Sequence, residues 1–597
     1  MTYAAPVRDM RFVINELADL KTVAALPGCE EVTPDLVDAI LEEAGKFGAE
    51  VLAPINAIGD TQGCHWDNGV VRTPDGFRDA YRQFVDGGWN SVPFDPEYGG
   101  QGLPWLVATA VTEVWHSANM AFGLCPMLSQ GASELLHAYG TEDLKATYLP
   151  KMVSGEWTGT MNLTEAGAGS DLAQVRTRAF RDGDGYRLVG QKIFITHGEH
   201  DMAENIIHMV LARSPDGPPG TRGLSLFLVP KLIPNPDGGV GKRNDLRCVS
   251  IEHKLGINGS PTAVMSFGDD GGAVGYLIGK ENAGLAHMFL MMNNARLSVG
   301  LEGVGIAERA YQLARAYALE RVQGRMLGGA DPSPVTIAHH PDVQRMLMSM
   351  KSQTEAARAL AYYTSACLDV SNRHPDESVR RRNDALVGLL TPVVKAWSTE
   401  IGIEVANTGI QVLGGMGYIE ESGAPQHLRD ARIAAIYEGT NGIQANDLVG
   451  RKVVRENGET VRALIATISG FDRQAAAAAG DDTRVIGDVL ATATADLSAA
   501  TDWLLNAYPA DPKRAAAGAV PYLLLLGTVA GGWLMAKGAM VAARGLASGQ
   551  GDPHFYRAKL LSARFFADSY LTRSGGLRAG VERSGGALTG LDPARHL

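Results

Sequence analysis

The spacing of apolar residues divides the chain into segments of different character. From residue 34 to about 156, apolar residues recur every three to four positions, as on amphipathic helices. A helix start is visible at Thr33-Pro34-Asp35, where a hydroxyl N-cap, a first-turn proline and an acidic residue follow one another. The pattern predicts an N-terminal extension over residues 1–33 and a helical domain over 34–156.

The helical spacing fades near residue 157. Short apolar runs separated by Gly, Pro, Asp and Ser take its place, and they predict strands at 186–190, 192–196, 206–212 and 224–229. Short strands at such spacing are typical of a small barrel or sandwich, which we place over residues 157–283. Helical spacing then returns over 284–452, where the first 40 residues predict a long helix pair.

The last segment, residues 453–597, is also predicted to be helical. Residues 515–536 carry no charge, and this run is as long as a membrane span. Glycines and Pro521 interrupt the run and Lys537 follows it, so a buried helix of an antiparallel bundle is favoured over the alternative of a membrane span. The Gly- and Ser-rich residues 574–590 are expected to be mobile or laid on the surface.

Charge and cysteine usage narrow the functional class. The net charge of −12, from 54 basic and 66 acidic residues, argues against a nucleic-acid partner. The five cysteines are scattered and form no CxxC pair, which argues against a disulfide framework or a metal site and fits a cytoplasmic location. Arg8, Asp9 and Arg11 stand where a signal peptide has its apolar core, so no secretion signal is expected.

One carboxylate is a candidate catalytic group. The apolar run Ala434–Tyr437 ends in Glu438, and Gly439 follows it. A carboxylate at the end of a hydrophobic wall favours its neutral form, so we expect a raised pKa and a general base that works near neutral pH. Gly439 permits a tight backbone turn beside the base.

A second candidate is the stretch of small residues at 161–171. Closely spaced glycines with Thr164 and Ser170 let backbone N–H groups and hydroxyls approach an anion. The stretch lacks the three-glycine spacing of a Rossmann fingerprint, and a tight turn is the alternative interpretation.

Several separated motifs resemble, in order, those of the acyl-CoA dehydrogenase family. They span about residues 34 to 452 and comprise Pro96–Gly102, Gly155-Glu156-Trp157, Thr164-Glu165-x-Gly-x-Gly-Ser-Asp, Phe194-Ile195-Thr196, Lys254-Leu255-Gly256, Gln411–Gly417 and Tyr437-Glu438-Gly439-Thr440. The resemblance implies a multidomain α+β protein with a helical N-terminal domain, a central β-barrel and a helical bundle, with FAD at their junction. The tail adds an extra C-terminal helical domain.

The resemblance also assigns site residues. Glu438 is the implied catalytic base. The implied FAD-binding residues are Met161, Leu163, Thr164, Gly169, Ser170, Phe194, Ile195, Thr196, Arg321, Gln411, Val412, Gly414, Gly415, Thr440 and Asn441. Among these, Arg321 and Gln411–Gly415 are implied to reach the FAD of a partner subunit. The implied substrate-binding residues are Ser170, Arg296, Tyr437 and Gly439, with Arg296 directed to the CoA nucleotide. Phe194 and His197 stand where the family usually has Trp and Asn.

The implied reaction is the α,β-dehydrogenation of an acyl-CoA thioester. The base removes an α-proton, a hydride passes from the β-carbon to flavin N5, and an electron-transfer flavoprotein accepts the electrons. A homodimer is implied, and membrane association is not expected.

The C-terminal extension resembles two long groups of the family, the bacterial 3-methylmercaptopropionyl-CoA dehydrogenase type and the very-long-chain type. The early Tyr3-x-Ala-Pro and Asp9–Glu16 stretch resembles the first group. We therefore expect a short acyl chain, 3-(methylthio)propanoyl-CoA, and a role in dimethylsulfoniopropionate catabolism. The alternatives are a medium- or long-chain fatty acyl-CoA dehydrogenase, an acyl-CoA oxidase, and a non-enzymatic acyl-CoA-binding scaffold. A DNA-associated flavoprotein is disfavoured by the acidic charge.

Overall fold

The computed structural model describes residues 3–329 and 331–597; the first two residues of the predicted N-terminal extension lie outside it. The N-terminal part is helical, with one small hairpin. Its helices are α1 Val7–Phe12, α2 Leu20–Ala24, α3 Pro34–Phe47, α4 Ala53–Gln62, α5 Phe77–Asp86, α6 Trp105–Ala118, α7 Met120–Tyr139 and α8 Glu142–Ser154, and its strands are β1 His65–Asp67 and β2 Val70–Arg72. The Thr33 hydroxyl accepts from the N–H of Leu36, so the predicted cap of α3 is confirmed.

A β domain follows. Its strands are β3 Trp157–Asn162, β4 Arg178–Asp182, β5 Gly185–Thr196, β6 Asn205–Arg213, β7 Leu224–Pro230, β8 Leu232–Pro234, β9 Val240–Arg243, β10 Leu246–Ile251, β11 Thr262–Phe267 and β12 Ala273–Ile278. The main sheet has the order β10-β11-β5-β12-β7-β6-β3, and β4 pairs with β5 and β6. Phe227, Phe267 and Met265 belong to a separate core of this domain. The two strands predicted at 186–196 are one long strand, β5.

The helical bundle that follows the β domain is built on three long helices. The elements here are α9 Gly284–Glu320, β13 Val322–Arg325, β14 Pro334–Thr336, α10 Pro341–Arg373, α11 Glu377–Leu413, α12 Ala424–Ala434 and α13 Asn441–Asp447. The predicted helix pair at 284–323 was wrong, because α9 runs as one continuous helix. Its repeated small residues, such as Gly300 and Gly303, let it pack directly on the backbone of α11 near Val394 and Ser398.

The tail forms a further helical layer. Its helices are α14 Glu459–Ser469, α15 Arg473–Ala479, α16 Asp481–Ala510, α17 Pro512–Ala516, α18 Ala519–Ser548, α19 Pro553–Ser569, α20 Ser574–Leu588 and α21 Pro593–His596. Of the two alternatives for residues 574–590, a mobile segment or one laid on the surface, the structure agrees with the second: α20 covers most of the segment, and most of its residues are exposed or half-buried. Val581 of α20 is fully buried against Gly518, so tertiary contact overrides the low helix propensity of glycine.

Most of the uncharged run of the tail lies in α18, which is the buried helix that the sequence predicts. Gly527 and Gly531 face the indole of Trp397 so closely that a Cβ at either position would overlap it. Two helical stretches, Glu377–Tyr418 and Ala519–Ser548, are long and apolar enough to cross a membrane, and 72% and 83% of their apolar windows are buried within the protein.

A buried ionic cluster joins the separate layers. Arg358 of α10 pairs with Glu113 of α6 at 2.6 Å, with Glu308 of α9 at 2.8 Å and with Asp9 of α1 at 2.6 Å. Lys559 of α19 also pairs with Asp9. The N-terminal segment is therefore tied both to the bundle and to the tail.

Candidate active site

The candidate base lies where the chain turns from α12 into α13. Glu438 has a φ of +54° and Gly439 a φ of +81°, so two consecutive residues are left-handed. The sequence predicts the glycine turn, but not the left-handed conformation of the glutamate itself. Such a conformation is disfavoured for a residue with a side chain and persists where the surroundings hold it in place.

Hydrogen bonds fix this base loop, which we define as residues 435–441. The Gln444 amide donates to the Glu438 carbonyl at 2.9 Å, and the Asn441 N–H donates to the Ala435 carbonyl at 3.1 Å. Among residues 3–329 and 331–597, no oxygen accepts the Glu438 N–H. That backbone donor is therefore available to a bound carbonyl group.

Two buried ionisable side chains brace the loop, and sequence reasoning missed both. The Tyr437 hydroxyl donates to Glu302 of α9, and the Lys395 ammonium of α11 donates to the Gly439 carbonyl at 2.9 Å. Glu302 and Lys395 are fully buried. In the sequence, each is marked only as a single charged residue within an apolar helical stretch: Glu302 in Gly-Leu-Glu-Gly-Val and Lys395 in Val-Val-Lys-Ala-Trp.

The electrostatic surroundings suit Glu438 to proton abstraction. Burial raises the pKa of Glu438 to about 7, against the opposing positive charges of Arg296 and Lys395. The direction predicted from the apolar approach is confirmed. A carboxyl group with this pKa changes its protonation near neutral pH, as a general base must.

Arg296 lies inside the site rather than on an open surface. Its side chain is buried and pairs with Asp447 of α13 at 3.5 Å. Its Nε is buried and has no partner among the described residues. The charge of Arg296 acts on Glu438, while its contact with the CoA nucleotide stays a prediction.

A buried ion pair anchors the predicted cofactor loop, residues 161–171, to β5. Lys192 of β5 donates to the Glu165 carboxylate at 2.8 Å and to the Leu163 carbonyl at 2.9 Å. The hydroxyl and N–H of Thr177 also donate to Glu165. Burial works to raise the pKa of Glu165, but Lys192 and these hydrogen bonds lower it, so the carboxylate stays ionised. The loop is therefore tied to β5 at Leu163 and Glu165.

An irregularity in β5 turns Phe194 outwards. Lys192 and Ile195 of β5 pair with Met265 and Ala263 of β11, and between these two pairs β5 has one more residue than β11, which is a β-bulge. Phe194 has a φ of +59°, and 58% of its surface is exposed. Ile195 is buried, and the Thr196 carbonyl accepts from Thr160. The bulge thus presents an aromatic face beside the loop that carries Thr164, whose carbonyl accepts from Ile193.

The open surface at this point fits a flavin. Phe194 offers a stacking face, and a Cβ built at Gly169 would meet nothing within 4 Å. Met161, Thr164 and Thr196 are half-buried at the same strand ends, and Ser170 is exposed. These residues would hold the isoalloxazine ring of FAD.

The predicted FAD contacts at Arg321 and Gln411–Gly415 lie far from the base within one protomer. Arg321 follows the end of α9, about 37 Å along the helix from Arg296. Gln411 lies about 24 Å along α11 from Lys395. Gly414 and Gly415 also face open space, whereas the side chain of Val412 is buried, which leaves only its backbone for a ligand.

Thr440 and Asn441 have structural partners of their own. The Thr440 hydroxyl caps α13 by accepting from Ile443. The Asn441 amide is bonded to Lys395, Thr399 and Glu400 of α11. Their contacts with FAD stay predictions.

Cys125, His197 and His200 form a buried group whose ligand atoms lie within 4.8 Å of one another. Both ring nitrogens of His200 are engaged, by the Met202 N–H and the Thr158 hydroxyl. Burial lowers the pKa of His197 to about 3, so its ring is neutral, and its Nε2 pairs with Ser260 at 3.1 Å. Both histidines thus make internal hydrogen bonds, although the Nδ1 of His197 has no partner among the described residues. The expected absence of a metal stays a prediction.

Comparison with known families agrees with this geometry. Four family models match the chain: the acyl-CoA dehydrogenase N-terminal domain over residues 35–156, its middle domain over 160–269, its C-terminal domain over 282–453, and an acetyl-CoA dehydrogenase C-terminal-like domain over 459–592.

Two curated relatives and one solved structure extend the match to the whole chain. A 3-methylmercaptopropionyl-CoA dehydrogenase of Ruegeria pomeroyi is 48% identical, over 98% of this chain and 99% of its own. A broad-specificity linear acyl-CoA dehydrogenase of Mycobacterium tuberculosis is 33% identical, over 99% of both. The structure of a Bacillus anthracis acyl-CoA dehydrogenase complexed with FAD has a TM-score of 0.72 at 20% identity, over 92% of this chain and 88% of that one.

The fold, the placement of Glu438 and these matches lead to one conclusion: the chain belongs to the acyl-CoA dehydrogenase family of FAD-dependent oxidoreductases.

Proposed function

We propose that this enzyme dehydrogenates a short acyl-CoA thioester, 3-(methylthio)propanoyl-CoA. The main observation that supports this proposal is Glu438, a carboxylate with a near-neutral pKa in a fixed turn beside an open flavin site. The short thioether substrate is supported by the relative of that name, which matches almost the full length of this chain. A role in dimethylsulfoniopropionate catabolism follows from this substrate.

Glu438 removes the α-proton. The free N–H of Glu438 donates to the thioester carbonyl oxygen and so stabilises the charge that develops there. Arg296 and Lys395 keep enough positive charge nearby for the carboxylate to be ionised at neutral pH. When bound, FAD supplies the acceptor for the hydride of the β-carbon. Phe194 and the 161–171 loop position the ring.

The acyl chain is tested by anaerobic bleaching of the holoenzyme with butanoyl-, octanoyl-, palmitoyl- and 3-methylthiopropanoyl-CoA. We expect the thioether and butanoyl esters to bleach the flavin rapidly, because a hydrophobic pocket separates near-isosteric chains by only about 1–3 kcal/mol. Rapid bleaching chiefly by palmitoyl-CoA would instead support the long-chain alternative, which the broad-specificity relative favours.

We also propose a homodimer with FAD shared between subunits. The distance of Arg321 and Gln411 from the base supports this, since each lies several helical turns along its helix from the residue that stands beside Glu438. Apolar residues near both are exposed, with Leu327 at 80% and Tyr418 at 85%. Light scattering of the holoenzyme tests the proposal, and a monomeric mass would overturn it.

An electron-transfer flavoprotein is the proposed acceptor, and the cytoplasm the proposed location. The free thiols of all five cysteines support a reducing compartment. Steady-state turnover with purified electron-transfer flavoprotein, and little peroxide formed in air, is the expected result. Rapid peroxide formation without that partner would indicate an oxidase.

A further inference from the structure

The two residues that flank the base are anchored by different helices. On one side, Tyr437 donates to Glu302 of α9; on the other, the Gly439 carbonyl accepts from Lys395 of α11. Lys395 also donates to the Asn441 side chain at 2.9 Å. Glu302 and Lys395 are separated by 93 positions in the sequence, yet both act within one residue of Glu438.

Burial of these two anchoring side chains costs free energy, and the fold alone does not explain why they are ionisable. Both side chains are fully buried, where an ionisable group is disfavoured. Glu302 keeps one carboxyl oxygen without a partner among the described residues. Buried polar groups that are left partly unpaired are uncommon and point to a functional constraint.

We propose that Glu302 and Lys395 are positioning residues for the dehydrogenation. They hold Glu438 in its left-handed conformation and direct its carboxylate to the α-proton. This inference rests on the function proposed above. Because the positive φ of Glu438 is disfavoured for a residue with a side chain, the loop relaxes towards ordinary conformations when either anchor is removed.

The two anchors also differ in charge. The charged and titratable groups around Glu438 are Arg296 and Glu302 from α9, Lys395 from α11, Tyr437 beside it, and Asp447 of α13, which pairs with Arg296. Burial lowers the pKa of Lys395 to about 8 and raises the pKa of Glu302 to about 8. Near pH 7, Lys395 is therefore mainly cationic and Glu302 mainly neutral.

Lys395→Met tests the first anchor through the pH profile of flavin bleaching. Loss of the cation raises the pKa of Glu438, so the acid limb of the profile moves to higher pH. Misplacement of the base lowers the bleaching rate by about 100-fold with little change in substrate affinity. Lys559→Met is the matched control: it removes another buried lysine, remote from the base, and is expected to lower thermal stability without moving the limb.

Glu302 is tested with a conservative pair and a double-mutant cycle. Glu302→Ala is expected to slow bleaching roughly tenfold, as loss of a buried hydrogen bond does, whereas Glu302→Gln retains an acceptor for Tyr437 and restores most of the rate. The double variant Glu302→Ala with Tyr437→Phe is expected to be no slower than either single variant, because both remove one interaction.

Three results would overturn the proposal: an unmoved acid limb in Lys395→Met, a wild-type rate in Glu302→Ala, or additive losses in the double variant. FAD content and circular dichroism are measured for each variant to identify misfolding. If no ester bleaches the wild-type flavin, the proposed function is wrong. If the wild type is active but the acid limb does not move in Lys395→Met, only the positioning role is wrong.

Discussion

At the scale of single residues, the chemistry depends on how Glu438 is placed. Its apolar approach made a raised pKa predictable from sequence, because burial beside a hydrophobic run disfavours charge. Its left-handed φ and its neighbours Glu302 and Lys395 were not predictable in the same way. Those neighbours come from distant helices, and only the packing of α9 on α11 brings them to the base.

The pKa of Glu438 predicts the pH dependence of the enzyme. The base must be ionised, so kcat/KM is expected to rise with pH through about 7 and to fall on the acid side. Initial rates with a dye acceptor between pH 5 and pH 9 measure the acid limb. A limb near 4.5, the ordinary pKa of glutamate, would show that burial does not act on the base as the structure indicates.

At the scale of elements, β5 organises the flavin site. Periodicity predicted strands at 186–190 and 192–196, but it did not show that they form one strand with a bulge at Phe194. A bulge depends on the register with β11, which a single strand sequence does not specify. Lys192 lies two residues before Phe194 in β5 and fixes the cofactor loop through its ion pair with Glu165. The burial of Lys192 also depends on tertiary packing.

Phe194→Ala is expected to weaken FAD retention by about tenfold, since aromatic stacking is worth about 0.5–1.5 kcal/mol beyond the buried area. The flavin-to-protein absorbance ratio after gel filtration measures this loss. Phe180→Ala removes another exposed aromatic side chain of the β domain, on β4, and serves as the control. Equal FAD content in the two variants would argue against Phe194 as the stacking residue.

At the scale of the whole molecule, the N-terminal segment and the tail are bound to the catalytic bundle by the Arg358 cluster. The sequence shows a helical tail, but not this cluster, whose acidic members lie 50 to 349 positions from Arg358. Burial works to raise the pKa of Asp9, yet Lys559 and Arg358 overcome it and hold that pKa well below its usual range. The ion pairs therefore favour the folded chain while Asp9 is ionised.

Asp9→Asn is expected to destabilise the folded chain by about 3 kcal/mol at pH 7, because it removes the carboxylate that two buried cations, Arg358 and Lys559, share. A depressed carboxyl pKa stabilises above the unfolded value of about 3.9, and this contribution is lost as the pH falls below it. The difference in apparent Tm between variant and wild type should therefore shrink under acid conditions.

Asp552→Asn is the control for that measurement, since it breaks the more exposed pair of Asp552 with Arg8 in the same region. A similar fall in Tm for both variants would mean that the buried cluster has no special role in joining the layers.

The assignment of Glu438 as the catalytic base is tested by anaerobic bleaching of Glu438→Gln holoenzyme with 3-methylthiopropanoyl-CoA. We expect the variant to retain FAD and bind the ester, while bleaching slows by about 1,000-fold or more relative to wild type. Bleaching at the wild-type rate would place the base elsewhere.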